Sequence, residues 1–167
     1  MVAKTQMIVI RDFTLSDAEF VLRLLNEPQY IKNIRDNNVR TIDDAKKYIE
    51  EKIFQPIKDL GFGYHVVAFR DTGKPIGMVG LIKRAFLREP DIGFAFLEEF
   101  HNRGFGFEAV SAFMLSKEVK SFKILHAFTS LDNPASQKLL LKLGFKDMGT
   151  IKYDKTDDDV RLFTLKS

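Results

Sequence analysis

The chain has 167 residues, 45% of them hydrophobic, with 16 Phe and no Trp; this supplies one domain with a sizeable core and excludes a disordered chain. The absence of cysteine excludes disulfides, thiolate chemistry and cysteine-ligated zinc, and suits a reducing cytoplasm. A net charge of +3, from 26 basic and 23 acidic side chains, is too small to point to nucleic acid by itself.

The first residues are too polar for a signal peptide, and no apolar run reaches the ~18 residues of a membrane span. A cytoplasmic protein without membrane contact is expected. Residues 6–11 read as a first strand. Thr14 or Ser16 then caps a helix, with Glu19 at capping-box distance from Ser16 and Phe20, Val21, Leu24 and Leu25 as its apolar stripe. Asn26-Glu27-Pro28 ends it, and residues 30–40, polar and without period, form a loop or a short helix. Thr41 caps the next helix, with Asp43 and Asp44 in its first turn and Ala45, Tyr48, Ile49 and Ile53 on one face. Residues 64–69 and 76–82 are strands joined by the hairpin signal Asp71-Thr72-Gly73-Lys74-Pro75.

A third strand, 91–97, follows Arg88-Glu89-Pro90 and carries Gly93, which marks a bulge or a close approach. After a polar turn come Gly104 and Gly106, then a helix with Ala109, Val110, Phe113 and Met114 at helical spacing. Residues 124–130 read as a strand buried on both faces. Residues 133–143 form a helix ended by Gly144, and 146–152 with 160–166 close the fold as an antiparallel pair around the acidic loop 154–159. Residues 1–167 therefore read as a single mixed α/β (α+β) domain with a largely antiparallel sheet.

The strand, glycine turn and helix over 91–110 make an anion site, because the first amides of a helix have no internal acceptor and sit at its positive end. The segment is not the dinucleotide fingerprint: Ala109 stands at the third glycine, and no following acidic residue in a βαβ unit is evident. No Gly-Lys-Ser/Thr follows, so it is not a P-loop. On these residues alone a tight turn without a ligand remains an equal reading.

Larger patterns carry a resemblance. Phe100-His101-Asn102-Arg103-Gly104-Phe105-Gly106 resembles the acetyl-CoA signature of the GNAT N-acetyltransferases. Asn133-Pro134-Ala135-Ser136, followed by Lys142-Leu143-Gly144-Phe145, resembles that family's second landmark, at the right spacing. Residues 75–81 ahead of Asp91-Ile92-Gly93-Phe94 are similar to its active-site sheet, and the nearest branch is that of the ribosomal-protein N-terminal acetyltransferases. The resemblance implies about seven strands flanked by about four helices, with strand 91–97 splayed from strand 124–130. It implies acetyl-CoA as cosubstrate, its pantetheine arm along Phe96 and Leu97. The amides of Asn102, Arg103, Gly104, Phe105 and Gly106 would hold the pyrophosphate, Arg103 adding charge, and Asn133 would meet the cosubstrate. His101 departs from the usual Gln or Arg, and Phe107 from a common Thr.

The implied chemistry is direct acetyl transfer in a ternary complex to a primary amine, on a small molecule or a protein N-terminus. An amine of pKa near ~10.4 must lose a proton before it attacks. Asp91, where this branch often has Glu, is the first candidate base, directly or through water, with Glu89 and Glu98 as alternates. Leu140 stands where many members place a tyrosine that protonates the leaving thiolate; Ser136 is the replacement, against the reading of a first-turn serine that only satisfies backbone. His65 and His126 read as packed or surface residues, and no metal-ligand spacing is present. Two other readings stay open: an acetyl-CoA-binding sensor or partner module with little turnover, and a nucleic-acid-binding domain using Lys32, Arg35, Arg40, Lys83, Arg84 and Arg88. The latter has no known motif, and no nucleic-acid partner is expected. The acidic loop suits a cationic acceptor, while the oligomeric state is left open.

Overall fold

The computed structural model describes residues 1–154, 156 and 158–167. Alternating apolar residues and tight turns build its strands: β1 (Ala3–Lys4), β2 (Ile8–Arg11), β3 (Tyr64–Phe69), β4 (Pro75–Ile82), β5 (Asp91–Phe96), β6 (Ile124–Ser130), β7 (Lys146–Lys152) and β8 (Asp159–Lys166). They form one sheet in the order β1-β2-β3-β4-β5-β6-β8-β7, in which only β5 and β6 run parallel. The strand beyond the expected seven is β1, too short to leave a period in the sequence.

The helices are α1 (Ala18–Leu25), α2 (Pro28–Asn33), α3 (Ile42–Ile49), α4 (Gln55–Leu60), α5 (Phe105–Met114), α6 (Lys117–Lys120) and α7 (Pro134–Lys142). They exceed the expected four because short pieces flank the longer ones. Proline opens α2 rather than ending α1: at the first helical position its missing N–H costs nothing. The entry to α1 also differs from expectation. A 3-10 turn, Leu15–Asp17, precedes it, and Asp17 rather than Glu19 receives the Thr14 N–H at 2.9 Å while Arg11 grips both its carboxylate oxygens. The α3 cap is as expected: Thr41 Oγ1 accepts the Asp44 N–H at 3.0 Å, and Asp44 returns a bond to the Thr41 N–H at 3.1 Å. From α3 the chain continues through a π-helical stretch, Glu50–Phe54, into α4, which ends at Gly61 with φ +80°.

Strand parity assigns the two sheet faces. His65 packs on Phe113, and Phe69 packs on Phe100 and Phe105, so the odd positions of β3 face α5. Tyr64 lies on the opposite face, with Tyr30 of α2 and Tyr48 of α3. Burial of β6 corrects the expectation of a strand enclosed on both sides. Leu125, Ala127 and Thr129 are buried, whereas His126, Phe128 and Ser130 are only partly covered. The residues alternate, with His126, Phe128 and Ser130 on the open face and Leu125, Ala127 and Thr129 on the covered one.

Backbones approach closely where β3 meets β4. A Cβ on Gly80 would lie 2.3 Å from the Gly63 carbonyl oxygen and 2.6 Å from Tyr64 Cα. Gly80→Ala must push β3 away from β4 and is expected to lower unfolding free energy by about 1–3 kcal/mol, the cost of overpacking. Urea denaturation reads this directly; wild-type stability in the variant would show that the strands have slack.

Candidate active site

Strands β5 and β6 share a single register pair, Asp91↔His126, with the His126 N–H donating to the Pro90 carbonyl at 3.1 Å. On either side the neighbouring ladders continue: β4 stays paired with β5 from Ile82↔Asp91 to Gly77↔Phe96, and β8 with β6 from Ile124↔Lys166 to Ser130↔Val160. Two strands held by their outer neighbours therefore diverge after one pair and leave a wedge, closed at Asp91 and His126 and open toward Phe96 and Ser130. The Leu97 N–H donates to Ile76 and its carbonyl accepts from Phe100. By alternation it is Phe94 and Phe96 whose peptide groups turn into the wedge. Leu97, expected beside Phe96, offers none; Phe94 does so instead. The Phe96 carbonyl already accepts from His101 Nε2 at 2.7 Å.

The wedge opens onto the start of α5. Asn102 and Gly104 take left-handed backbone angles, φ +56° and +83°, and a Cβ on Gly104 would meet nothing within 4 Å. The amides of Phe105, Gly106 and Phe107 are the first of the helix and have no internal acceptor. Arg103 lies back over the Phe105 and Phe100 rings, 5.2 and 5.6 Å from their centres, with Nη1 3.5 Å from the Glu99 carbonyl. Across the mouth stands α7. Asn133 caps it, its Oδ1 accepting the Ser136 N–H at 3.3 Å. Ser136 shares a helix face with Leu139, whose Cδ2 would lie 3.9 Å from a Cβ on Gly106. The expected residues 102–106, Asn133 and Ser136 are thus gathered at one end.

One further atom argues for a ligand. Thr129 on β6 is 6% exposed, and among the described residues its buried Oγ1 has no hydrogen-bond partner. Such a hydroxyl costs free energy unless something completes it. Strand-edge peptide groups, an unpartnered hydroxyl and free helix amides in sequence fit an extended, amide-bearing chain that ends in phosphates. Among the described residues, no group of three His, Cys, Asp or Glu side chains is placed to hold a metal ion.

The closed end carries different chemistry. Asp91 is 2% exposed, and Arg84 binds it with Nε at 2.9 Å from Oδ1 and Nη2 at 3.2 Å from Oδ2. Burial raises the Asp91 carboxyl above its ordinary range, opposed by Arg84. Arg84 also donates to the Tyr153 hydroxyl and lies over the Phe128 and Tyr153 rings. Phe86, Phe128 and Tyr153 form a cluster with centres 5.4 to 6.0 Å apart. Tyr64 reaches the same region: its hydroxyl would sit 2.6 Å from a Cβ on Gly93, and burial pushes its phenol well above the ordinary tyrosine range. Gly93 therefore marks a close approach rather than a bulge.

The alternate carboxylates have other partners. Glu89 is 3.7 Å from Arg88, and Glu98, at the far end of β5, accepts the Gln29 N–H at 3.0 Å. Leu140 is fully buried. Sequence reasoning missed the roles of Arg84, Tyr153 and Thr129. Arg84 and Asp91 face each other across a loop, where no period operates, and an unpartnered hydroxyl has no sequence signal. Of the acidic loop, residues 155 and 157 lie outside the described ones.

Known proteins resemble this chain in sequence and in fold. Residues 8–146 match the family model described as Acetyltransferase (GNAT) domain. The uncharacterized N-acetyltransferase YoaA of Bacillus subtilis (strain 168) is 25% identical over 155 residues, covering 90% of this chain and 86% of YoaA. The microcin C7 self-immunity acetyltransferase MccE, solved with acetyl-CoA and AMP, superposes with a TM-score of 0.81 at 18% identity, covering 98% of this chain and 94% of MccE. RimL, a ribosomal alpha-N-protein acetyltransferase in complex with coenzyme A, gives 0.79 at 14% identity, covering 99% and 98%.

Removing one partner of a buried ion pair costs about 3–5 kcal/mol. Arg84→Met is expected to lose stability on that scale at neutral pH, because Asp91 is left as an unpaired buried charge. Without Arg84 the Asp91 pKa, already raised by burial, rises further. A carboxyl raised in the folded state favours folding when protonated and loses that contribution as pH rises. The deficit should therefore shrink at acid pH. Urea unfolding at about pH 5 and about pH 8 checks this; equal deficits would contradict it.

Proposed function

The chain belongs to the GNAT acetyltransferase family, and on that premise we propose that it transfers the acetyl group of acetyl-CoA directly to a primary amine, of a small molecule or a protein N-terminus. The observation carrying this reading is the one-pair junction of β5 with β6, which opens a wedge onto the free amides of α5. In this reading the peptide groups of Phe94 and Phe96 align the pantetheine arm, Leu97 anchors the strand end, and Thr129 Oγ1 gains a partner. The amides around Asn102, Arg103, Gly104, Phe105 and Gly106 hold the pyrophosphate, and Asn133 fixes the facing turn. From Phe96 to Asp91 is roughly 16 Å of extended strand, a length suited to an extended pantetheine arm.

Bound acetyl-CoA supplies an acyl carbon activated as a thioester. Alignment of that carbon with the amine contributes up to about 7–11 kcal/mol. Asp91, its carboxylate balanced by Arg84, stands where the acyl end arrives. In this reading Ser136, on the α7 face toward Gly106, meets the cosubstrate at the open end rather than the thiolate at the closed end. The acceptor enters from the face of Tyr64, Phe128 and Tyr153. The basic clusters support an enzyme over a nucleic-acid binder, since Lys32, Arg40, Arg84 and Arg88 are each paired with an acidic residue. We read residues 1–167 as one such domain, acting in the cytoplasm. The alternative, a binding module with little turnover, draws on Leu140, buried where many members have a proton-donating tyrosine.

Calorimetric titration with acetyl-CoA tests the reading, with Gly106→Glu as its control. A carboxylate in the first turn of α5 suits the helix dipole, and the Gly106 Cβ position meets only ordinary contacts. The variant should keep its melting temperature while its Kd rises by ~10-fold or more, about 1.4 kcal/mol. No binding by the folded wild-type chain would overturn the proposal. Binding without acetylation across a panel of alkylamines and unblocked tripeptides would favour the module.

A further inference from the structure

The closed end of the wedge holds a second titratable side chain that the reading above leaves unused. His126 is the register partner of Asp91, so both side chains leave the sheet on the acceptor face. Its Nδ1 lies 3.0 Å from Thr164 Oγ1 on β8, where Thr164 is its register partner. An Nδ1–H donated to that hydroxyl leaves Nε2 with a lone pair, and among the described residues Nε2 has no protein partner. The ring is half-buried. Of the competing carboxylates, Asp91 is held by Arg84 and Glu98 accepts the Gln29 N–H at the start of α2, while Glu89 stands 3.7 Å from Arg88.

We propose that His126 Nε2 is the proton acceptor for the incoming ammonium group, with Thr164 as the positioning residue that fixes its tautomer. This rests on the acyl-transfer reading. The acceptor arrives as R–NH3+ and gives one proton to Nε2. The freed nitrogen lone pair forms the C–N bond to the thioester carbonyl carbon. The C–S bond breaks with its electron pair going to sulfur, and the second departing amine proton converts the thiolate to a thiol. His126 releases its proton to solvent. The charged and titratable groups on this face are Asp91, the register partner of His126; Arg84, which grips Asp91, and Tyr153, which accepts from Arg84; Tyr64, which reaches Gly93; and Lys146 and Lys166, which share the face through the β7–β8 and β6–β8 registers.

In His126→Gln, the kcat for an alkylamine or tripeptide substrate should fall by about 10²–10⁴-fold, the usual worth of a general base. The acidic limb of the pH–rate profile should vanish while the acetyl-CoA Kd measured by calorimetry stays unchanged. Thr164→Val should lower kcat with little change in KM, and Thr164→Ser should restore it. An acceptor-independent readout is 15N-histidine NMR of the wild-type chain, with the three histidines assigned by substitution. An Nδ1–H tautomer at His126 is expected; an Nε2–H tautomer overturns the proposal, as does retained kcat in His126→Gln. Failure of the wild-type chain to bind acetyl-CoA overturns the acyl-transfer reading instead. If it binds but acetylates no probe amine, the NMR tautomer alone decides.

Discussion

Everything at the site depends on a parallel pairing that lasts for one residue pair. Peptide groups leaving a ladder must find new partners or face solvent or a ligand. Here β5 is held on its other edge by β4, and β6 by β8, so neither strand can close the gap. Mixed direction is what makes the fork possible: on both sides the antiparallel ladders keep their own twist, and the parallel junction takes up the mismatch. The 3-10 turn Glu98–Phe100 then leads the chain from β5 to the first amides of α5. A strand edge and a helix terminus, two kinds of unsatisfied backbone, thereby line one path.

Parity does the second part of the work. Asp91 and Gly93 share a face with His126, Phe128 and Ser130, while Phe94 and Phe96 lie on the α5 face with Leu125 and Ala127. A chain lying within the wedge is reached from both faces, so a second reactant can approach from the side opposite α5. A one-residue slip of β6 would exchange His126 for Leu125 and bury Phe128 against α5. The junction is fixed against such a slip by the long β6–β8 register, which sets His126 opposite Thr164.

The parts legible in sequence were those with short-range chemistry. The Thr41–Asp44 cap, the 71–75 hairpin, the glycine turn at Gly104 and the helix opening at 133 are each written within a few residues. What sequence hid depends on partners far along the chain. Residues 124–130 read as enclosed on both faces, yet the two faces meet different surroundings, and only the fold says that His126, Phe128 and Ser130 lie on the open one. Arg84 looked like one member of a basic cluster; its bond to Asp91 depends on the path of the loop between β4 and β5. Thr129 was invisible because a missing hydrogen bond is a property of packing. Leu97 was misjudged for the same reason: the pairing of β5 with β4 decides which peptide groups turn outward.

The two strand histidines show how one residue type divides into two kinds. His65, on β3, is buried with Nε2 2.8 Å from Glu118 and Nδ1 3.2 Å from Asp12. Both ring nitrogens are committed, and the contacts join the β2–α1 loop, β3 and α6 into one packed unit. His126 commits one nitrogen to a neutral hydroxyl and, among the described residues, leaves the other without a protein partner. An imidazole can pass protons only through a nitrogen whose lone pair another molecule can reach. A histidine held by two carboxylates inside the core fails that condition however polar its surroundings. One tethered by a single hydroxyl at the closed end of an open wedge meets it. The separation rests on hydrogen-bond accounting rather than exposure, since a partly covered ring with both nitrogens satisfied would be as inert as His65.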